Sequence, residues 1–151
     1  MGSRDQKTNE IKAKYSRKLQ LEKSDSDNIL PVGAMAEEVP FGVREALACI
    51  HEHVFTRRLT VKWMKEYCGL NGNNFSGKFK HYVGKTPRQY WLYHRIETAK
   101  LLLKDEALTG ASITDIAYSL GFNSLQAFSL TFKNYTGCSP KDFRNGAAKP
   151  E

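Results

Sequence analysis

VKWMKEYCG at residues 61–69 and ITDIAYSLG at residues 113–121 are the stretches that decide the fold. Val61, Met64, Cys68 and Gly69 of the first reappear 52 residues later as Ile113, Ile116, Leu120 and Gly121. Beyond the glycine the offset becomes 53, and Phe75, Phe79, Lys80, Gly84, Thr86, Pro87 and Tyr90 return as Phe128, Phe132, Lys133, Gly137, Ser139, Pro140 and Phe143. The extra residue falls between the glycine and the first phenylalanine, where a turn tolerates an insertion. One structural unit is therefore present twice.

Within each copy the local signals agree. Thr60 sits at an N-cap position, the apolar residues after it keep helical spacing, and Gly69 supplies the left-handed residue that closes the helix. Asn71 is expected to cap the next helix, with Phe75, Phe79 and Tyr82 inward up to Gly84. In the second copy Ser112 is the cap with Asp115 at its third position, and Asn123 is expected to cap the helix carrying Phe128, Phe132 and Tyr135. Thr86-Pro87-Arg88-Gln89 joins a capping threonine, a proline suited to the first helical position and a glutamine that caps back. A long helix should follow to about Lys104, its inward stripe being Tyr90, Tyr93, Ile96, Ala99/Lys100 and Leu103. Ser139-Pro140 opens a short last helix, and Val43, Leu47, Ile50 and Val54 mark one stripe of an earlier one. Helix, glycine turn, helix and a capped start to a third is the helix-turn-helix pattern, in which the first helix props a second that enters the major groove.

The charge agrees with that pattern. The 151 residues carry a formal +7, and the segment 41–146 holds fifteen Lys/Arg against eight Asp/Glu, so the whole excess lies in that segment. A basic excess of this kind points to nucleic acid or an anionic surface. No apolar run approaches the roughly 18–20 residues that span a bilayer, and the basic N-terminus lacks a signal-peptide core, so a soluble, cytoplasmic chain is expected. Cys49, Cys68 and Cys138 are odd in number and set in helical patterns, which predicts reduced thiols rather than a disulfide framework. His51 and His53, two apart on a helix, point to different faces, and no second Cys/His pair completes a metal set. Ser112 with Asp115 is a cap rather than an acid–base pair, and no glycine-rich phosphate loop is present. The chain is expected to be neither an enzyme nor a cofactor or metal carrier.

Ile113-Thr114-Asp115-Ile116-Ala117, Gly121-Phe122-Asn123-Ser124, Phe128, Phe132-Lys133, Gly137, Ser139-Pro140 and Phe143-Arg144 together resemble the C-terminal signature of the AraC/XylS family of transcription regulators. Phe75, Phe79-Lys80, Gly84, Thr86-Pro87, Tyr90, Arg95-Ile96, Ala99-Lys100 and Leu102-Leu103 resemble the preceding half of the same family's domain. The resemblance covers roughly residues 41–146. It implies an all-α, seven-helix domain of two helix-turn-helix subdomains, at 41–86 and 109–146, joined by a linker helix in 87–108. Residues 1–40 are then a polar linker or disordered tail, and 147–151 a short tail. Inside 1–40, Ile11, Tyr15 and Leu19 fit one helical face, while Ile11, Ala13, Tyr15, Leu19 and Leu21 also fit a strand-like alternation broken by Arg17.

With the phenylalanines inward, the opposite faces collect candidate DNA contacts. Asn73, Asn74, Ser76 and Gly77 on the first recognition helix, and Leu125, Gln126, Ser129 and Leu130 on the second, are the candidate base readers. Asn and Gln bond adenine edges, Ser bonds several, and Leu packs on a thymine methyl. Lys80, Lys85, Thr86, Arg88, Lys133, Ser139 and Lys141 are placed for phosphate, partly through N–H groups at the helix starts after Thr86 and Ser139. At Gly77 and Leu130 the resemblance leads one to expect Arg, and both cations are missing. The expected partners are double-stranded DNA, met by two recognition helices in successive major-groove segments, and RNA polymerase; the isolated domain is expected to be monomeric. A protein-interaction module or a nonspecific DNA-binding helical domain are the alternatives.

Overall fold

The computed structural model describes residues 2–24, 39–70 and 74–146, with side chains of the first helix described over residues 5–19. The described residues form α1 (Gly2–Ser24), α2 (Phe41–His53), α3 (Val61–Tyr67), α4 (Phe75–Val83), α5 (Pro87–Lys104), α6 (Ile113–Ser119), α7 (Leu125–Thr136) and α8 (Pro140–Arg144), with a 3-10 turn at Glu106–Leu108. No strand occurs among them. α2 to α8 are the seven helices that the resemblance implied, and α1 is additional. The chain divides into two compact units. One holds Met1–Tyr15, Phe55–Arg57 and Leu92–Glu151, and the other holds Ser16–Val54 and Arg58–Trp91.

The unit built on α6, α7 and α8 closes around Ile96, Leu102, Leu103, Leu108, Ile116, Leu120, Phe122, Phe128 and Phe132, all buried. Its aromatic rings pack in sequence: Phe122 on Phe128 at 5.2 Å, Phe128 on Phe132 at 5.7 Å and Phe132 on Phe143 at 5.4 Å between centroids. Rings tilted at these separations add to the area they remove from water. The other unit buries Val43, Leu47 and Ile50 from α2, Val54 just after it, Met64 from α3, Phe75 and Phe79 from α4, and Tyr90 and Trp91 from α5. Its buried His51 is within 2.7 Å of the Tyr90 hydroxyl through Nε2. Cys49, Cys68 and Cys138 are free thiols. Burial, aided by a hydrogen bond to the Cys68 thiol and by Glu52 and Glu45, pushes the Cys49 thiol up to about 12.

Several helix starts follow the sequence signals. Thr60 accepts from the Trp63 N–H at 3.0 Å, Ser112 from Asp115 at 2.9 Å and Ser139 from Asp142 at 3.1 Å. Thr86 and Gln89 bond reciprocally, at 3.0 and 3.2 Å. Gly69, Gly84, Gly121 and Gly137 all adopt positive φ at the expected helix ends.

Other positions differ from expectation. The stretch expected as a polar linker or disordered tail is helical over Gly2–Ser24, which settles the strand-or-helix alternative for Ile11, Tyr15 and Leu19. Tyr15 bonds His94 Nδ1 through its hydroxyl at 2.7 Å, Lys7 reaches Asp105 at 3.8 Å, and Ile11 packs on the unit's core. Lys12 lies over the Phe55 ring, and burial lowers its pKa. Ile11, Tyr15 and Leu19, the helical face marked by the periodicity, are turned inward, with Leu19 fully buried, and the polar contacts add to that anchorage. Tyr93 and Tyr135, expected inward, are exposed. On α5 the buried set includes His94, Arg95 and Thr98; the Thr98 hydroxyl donates to the His94 carbonyl at 2.8 Å.

Asn123 is not the cap of α7. Phe122 is buried against Phe128, so the turn runs one residue longer and Ser124 takes the extended conformation. Its hydroxyl accepts from the Ala127 N–H at 3.0 Å. Likewise α4 begins at Phe75 with Asn74 at the cap position and no side-chain cap bond; the expected cap Asn71 lies outside the described residues. Ser124→Ala should therefore lower stability by about 1 kcal/mol, whereas exposed Asn123→Ala should stay within about 0.5 kcal/mol. Urea melts of the two variants check this, and the reverse order would return the cap to Asn123.

Candidate nucleic-acid interface

Each second helix of the repeat buries its phenylalanines and leaves the opposite side in water. On α4, Phe75 and Phe79 are inward while Asn74, Ser76, Gly77 and Lys80 are exposed. Asn73 lies outside the described residues. Helical spacing adds two exposed residues that the sequence reading passed over, Lys78 and His81. They continue the line that starts at Asn74, four and seven residues on, so the signal was present in the 3.6-residue period.

On α7, Gln126 and Lys133 are exposed and Leu130 is 65% exposed, a large apolar side chain held out into water. Ser129 is half-buried, and Leu125 turns part of its surface onto the Phe128 core. Leu125 therefore has a packing role beside the base contact expected of it.

The phosphate candidates divide in the same manner. Arg88 and Lys141 are exposed, and Lys85, Thr86 and Ser139 are half-buried. The Thr86 hydroxyl already accepts from Gln89 N–H, and Ser139 from Asp142 N–H. The first turn of α5 carries no acidic residue, but that of α8 carries Asp142, which opposes an anion there.

Two arginines hold the fold. Arg95 is buried, donates to the Thr56 carbonyl at 2.8 Å and the Gly121 carbonyl at 3.4 Å, and lies over the Phe122 ring. Arg144 donates to the carbonyls of Ala111 at 2.6 Å and Leu108 at 3.2 Å, and burial lowers its pKa. The histidines weighed as metal ligands have aromatic neighbours: His53 stands edge-on to Trp63 at 5.0 Å and Tyr67 at 5.3 Å.

A family model described as a helix-turn-helix domain matches residues 65–146. A transcriptional regulator of Chromobacterium violaceum, described as having an AraC-type DNA-binding domain, superposes with a TM-score of 0.55 at 28% identity, covering 73% of this chain and 95% of that one. The chain belongs to the AraC-type helix-turn-helix family. A further AraC-type structure, the C-terminal domain of the response regulator AraT from Geobacillus stearothermophilus, gives a TM-score of 0.64 at 26% identity, covering 76% of this chain and 92% of that chain. The melibiose operon regulatory protein of Escherichia coli is 34% identical over 111 residues, or 74% of this chain and 35% of the relative. This AraC-type chain thus spans about a third of that relative's length. Among the described residues no helix is long and apolar enough to cross a membrane.

At Gly77 the nearest neighbour is a side chain of the same helix end. A Cβ at Gly77 would lie 2.5 Å from Oδ1 and 3.1 Å from Cγ of Asn74, so the Asn74 carboxamide occupies the space that a side chain at 77 needs. Asn74 is exposed and able to rotate away. Gly77→Ala should keep or raise stability by up to about 1 kcal/mol through helix propensity, while shifting base preference at the same step as Asn74→Ala. Thermal melts run beside binding selections check it; a clear loss of stability would show that the carboxamide cannot move.

Proposed function

We propose that this chain is the DNA-binding part of a transcription regulator, reading one duplex with α4 and α7 in successive major-groove segments. The observation that carries the reading is the repeated helix-turn-helix with both second helices presenting polar, base-compatible side chains outward, Asn74 and Ser76 on one and Gln126 on the other. Family membership and the basic excess of residues 41–146 support it.

In this reading Asn74, Ser76, Gln126 and Ser129 bond base edges, and Leu125 and Leu130 meet thymine methyls. Lys80, Lys85, Arg88, Lys133 and Lys141 neutralise phosphates, with the Thr86 and Ser139 hydroxyls donating beside them. Without Arg at 77 and 130 the preferred site leans away from guanine. The isolated chain acts as a cytoplasmic monomer, and RNA polymerase is the protein partner met from the DNA-bound position.

Selection from a random duplex library supplies the site. On that site Gln126→Ala should cost about 1–3 kcal/mol and relax preference at one or two base pairs. Lys133→Ala should weaken binding to all sequences and reduce the salt slope by about 0.9. Equal losses on selected and random DNA for Gln126→Ala would remove it from base reading.

Footprinting should show two protected patches about 10–10.5 bp apart on one face of the duplex. A single protected patch per chain, with dyad symmetry and binding as a dimer, would overturn the two-segment reading.

A further inference from the structure

Between the start of α2 and the outward side of α4 lies an open groove of about 610 Å³, lined by Pro40, Asn74, Gly77, Lys78, His81 and Tyr82. The α4 wall is one helical line, Asn74, Lys78 and His81, and the Asn74 carboxamide lies over Gly77. Two of the six lining residues carry basic groups, Tyr82 adds a phenol, and none is acidic. The His81 ring stands edge-on to Tyr82 at 4.9 Å and 88°, which restricts its orientation. The facing wall is Pro40, where α2 begins. That helix has no acidic residue in its first turn and no side-chain cap bond.

We propose that this groove takes one phosphodiester of the DNA strand whose bases α4 reads, with Lys78 and His81 as its ligands. The proposal rests on the DNA-binding reading above and adds two DNA-contacting residues and a backbone site to it. Charge complementarity selects the occupant, because the Lys78 ammonium and neighbouring hydrogen-bond donors, with no carboxylate among the described lining residues, suit an anion. Shape selects the form of the anion. An open groove beside a recognition helix lets a continuous sugar–phosphate strand pass along Lys78 and His81. A small-molecule site would enclose most of its ligand.

The test uses the whole chain and its selected duplex, resynthesised with one neutral methylphosphonate at a time. For the wild type, one or two replacements beside the α4 segment should weaken binding about fivefold or more. In the Lys78→Ala/His81→Ala double variant the same replacements should cost less than about twofold, since the side chains that met the phosphate are already gone. The salt slope of that variant should fall by about 0.9 for each phosphate it no longer neutralises. Lys78→Arg should restore the sensitivity. Circular dichroism checks the fold, and the single variants Lys78→Gln and His81→Gln serve if the double variant loses helicity. Unchanged affinity and undiminished methylphosphonate sensitivity in the folded variants overturn the groove proposal while leaving DNA binding standing. Failure of the wild type to bind any duplex overturns the reading beneath it.

Discussion

Arg95 fixes the turn of the second helix-turn-helix. It reaches from α5 to the carbonyls of Thr56 and Gly121, and its guanidinium lies over Phe122. Gly121 has φ +97°, and a Cβ there would stand 2.8 Å from Arg95 Nη2 and 3.0 Å from the Phe55 carbonyl carbon. The glycine is therefore required twice, by its left-handed backbone and by the approach of its neighbours. Through this turn Phe122 is seated against Phe128, which sets where α7 starts and which of its sides remains outward. In the other repeat a Cβ at Gly69 would meet none of the described residues within 4 Å.

The basic residues sort into two populations by what surrounds them. Arg95 and Arg144 are committed to backbone carbonyls, Lys104 lies over the Phe143 ring, and Lys100 bonds Glu97 at 2.9 Å. Lys78, Lys80, Arg88, Lys133 and Lys141 stand in water. Net charge alone does not separate these sets, although only the second can neutralise phosphate without giving up an internal bond. Gly77 and Leu130 are exposed, so neither position supports the core.

Helix α1 shows how a chain segment of low hydrophobicity becomes part of a unit. Its Ile11 meets the core, Tyr15 shares a hydrogen bond with buried His94, and Lys7 pairs with Asp105. Burying an imidazole calls for hydrogen-bond partners, and the Tyr15 hydroxyl supplies one to His94. The chain spans about a third of its melibiose-regulator relative.

The sequence by itself determined the repeat, the helix-turn-helix plan, the inward phenylalanines, the glycine helix ends and the capping box at Thr86 and Gln89. Those features are local or periodic, and their physics acts within a few residues along the chain. It also placed Asn74, Ser76, Gln126 and Lys133 on outward faces, because burial of Phe75, Phe79, Phe128 and Phe132 leaves them no other side. Only the tertiary structure decided that Ser124 rather than Asn123 caps α7, since the choice turns on Phe122 finding its place in the core. It decided that Arg95 and Arg144 belong to the fold, because their carbonyl partners lie 26 to 39 residues away in sequence. It also brought Pro40 opposite Lys78 and His81, a groove that no spacing predicts, because its two walls come from separate helices whose distance apart is set by packing.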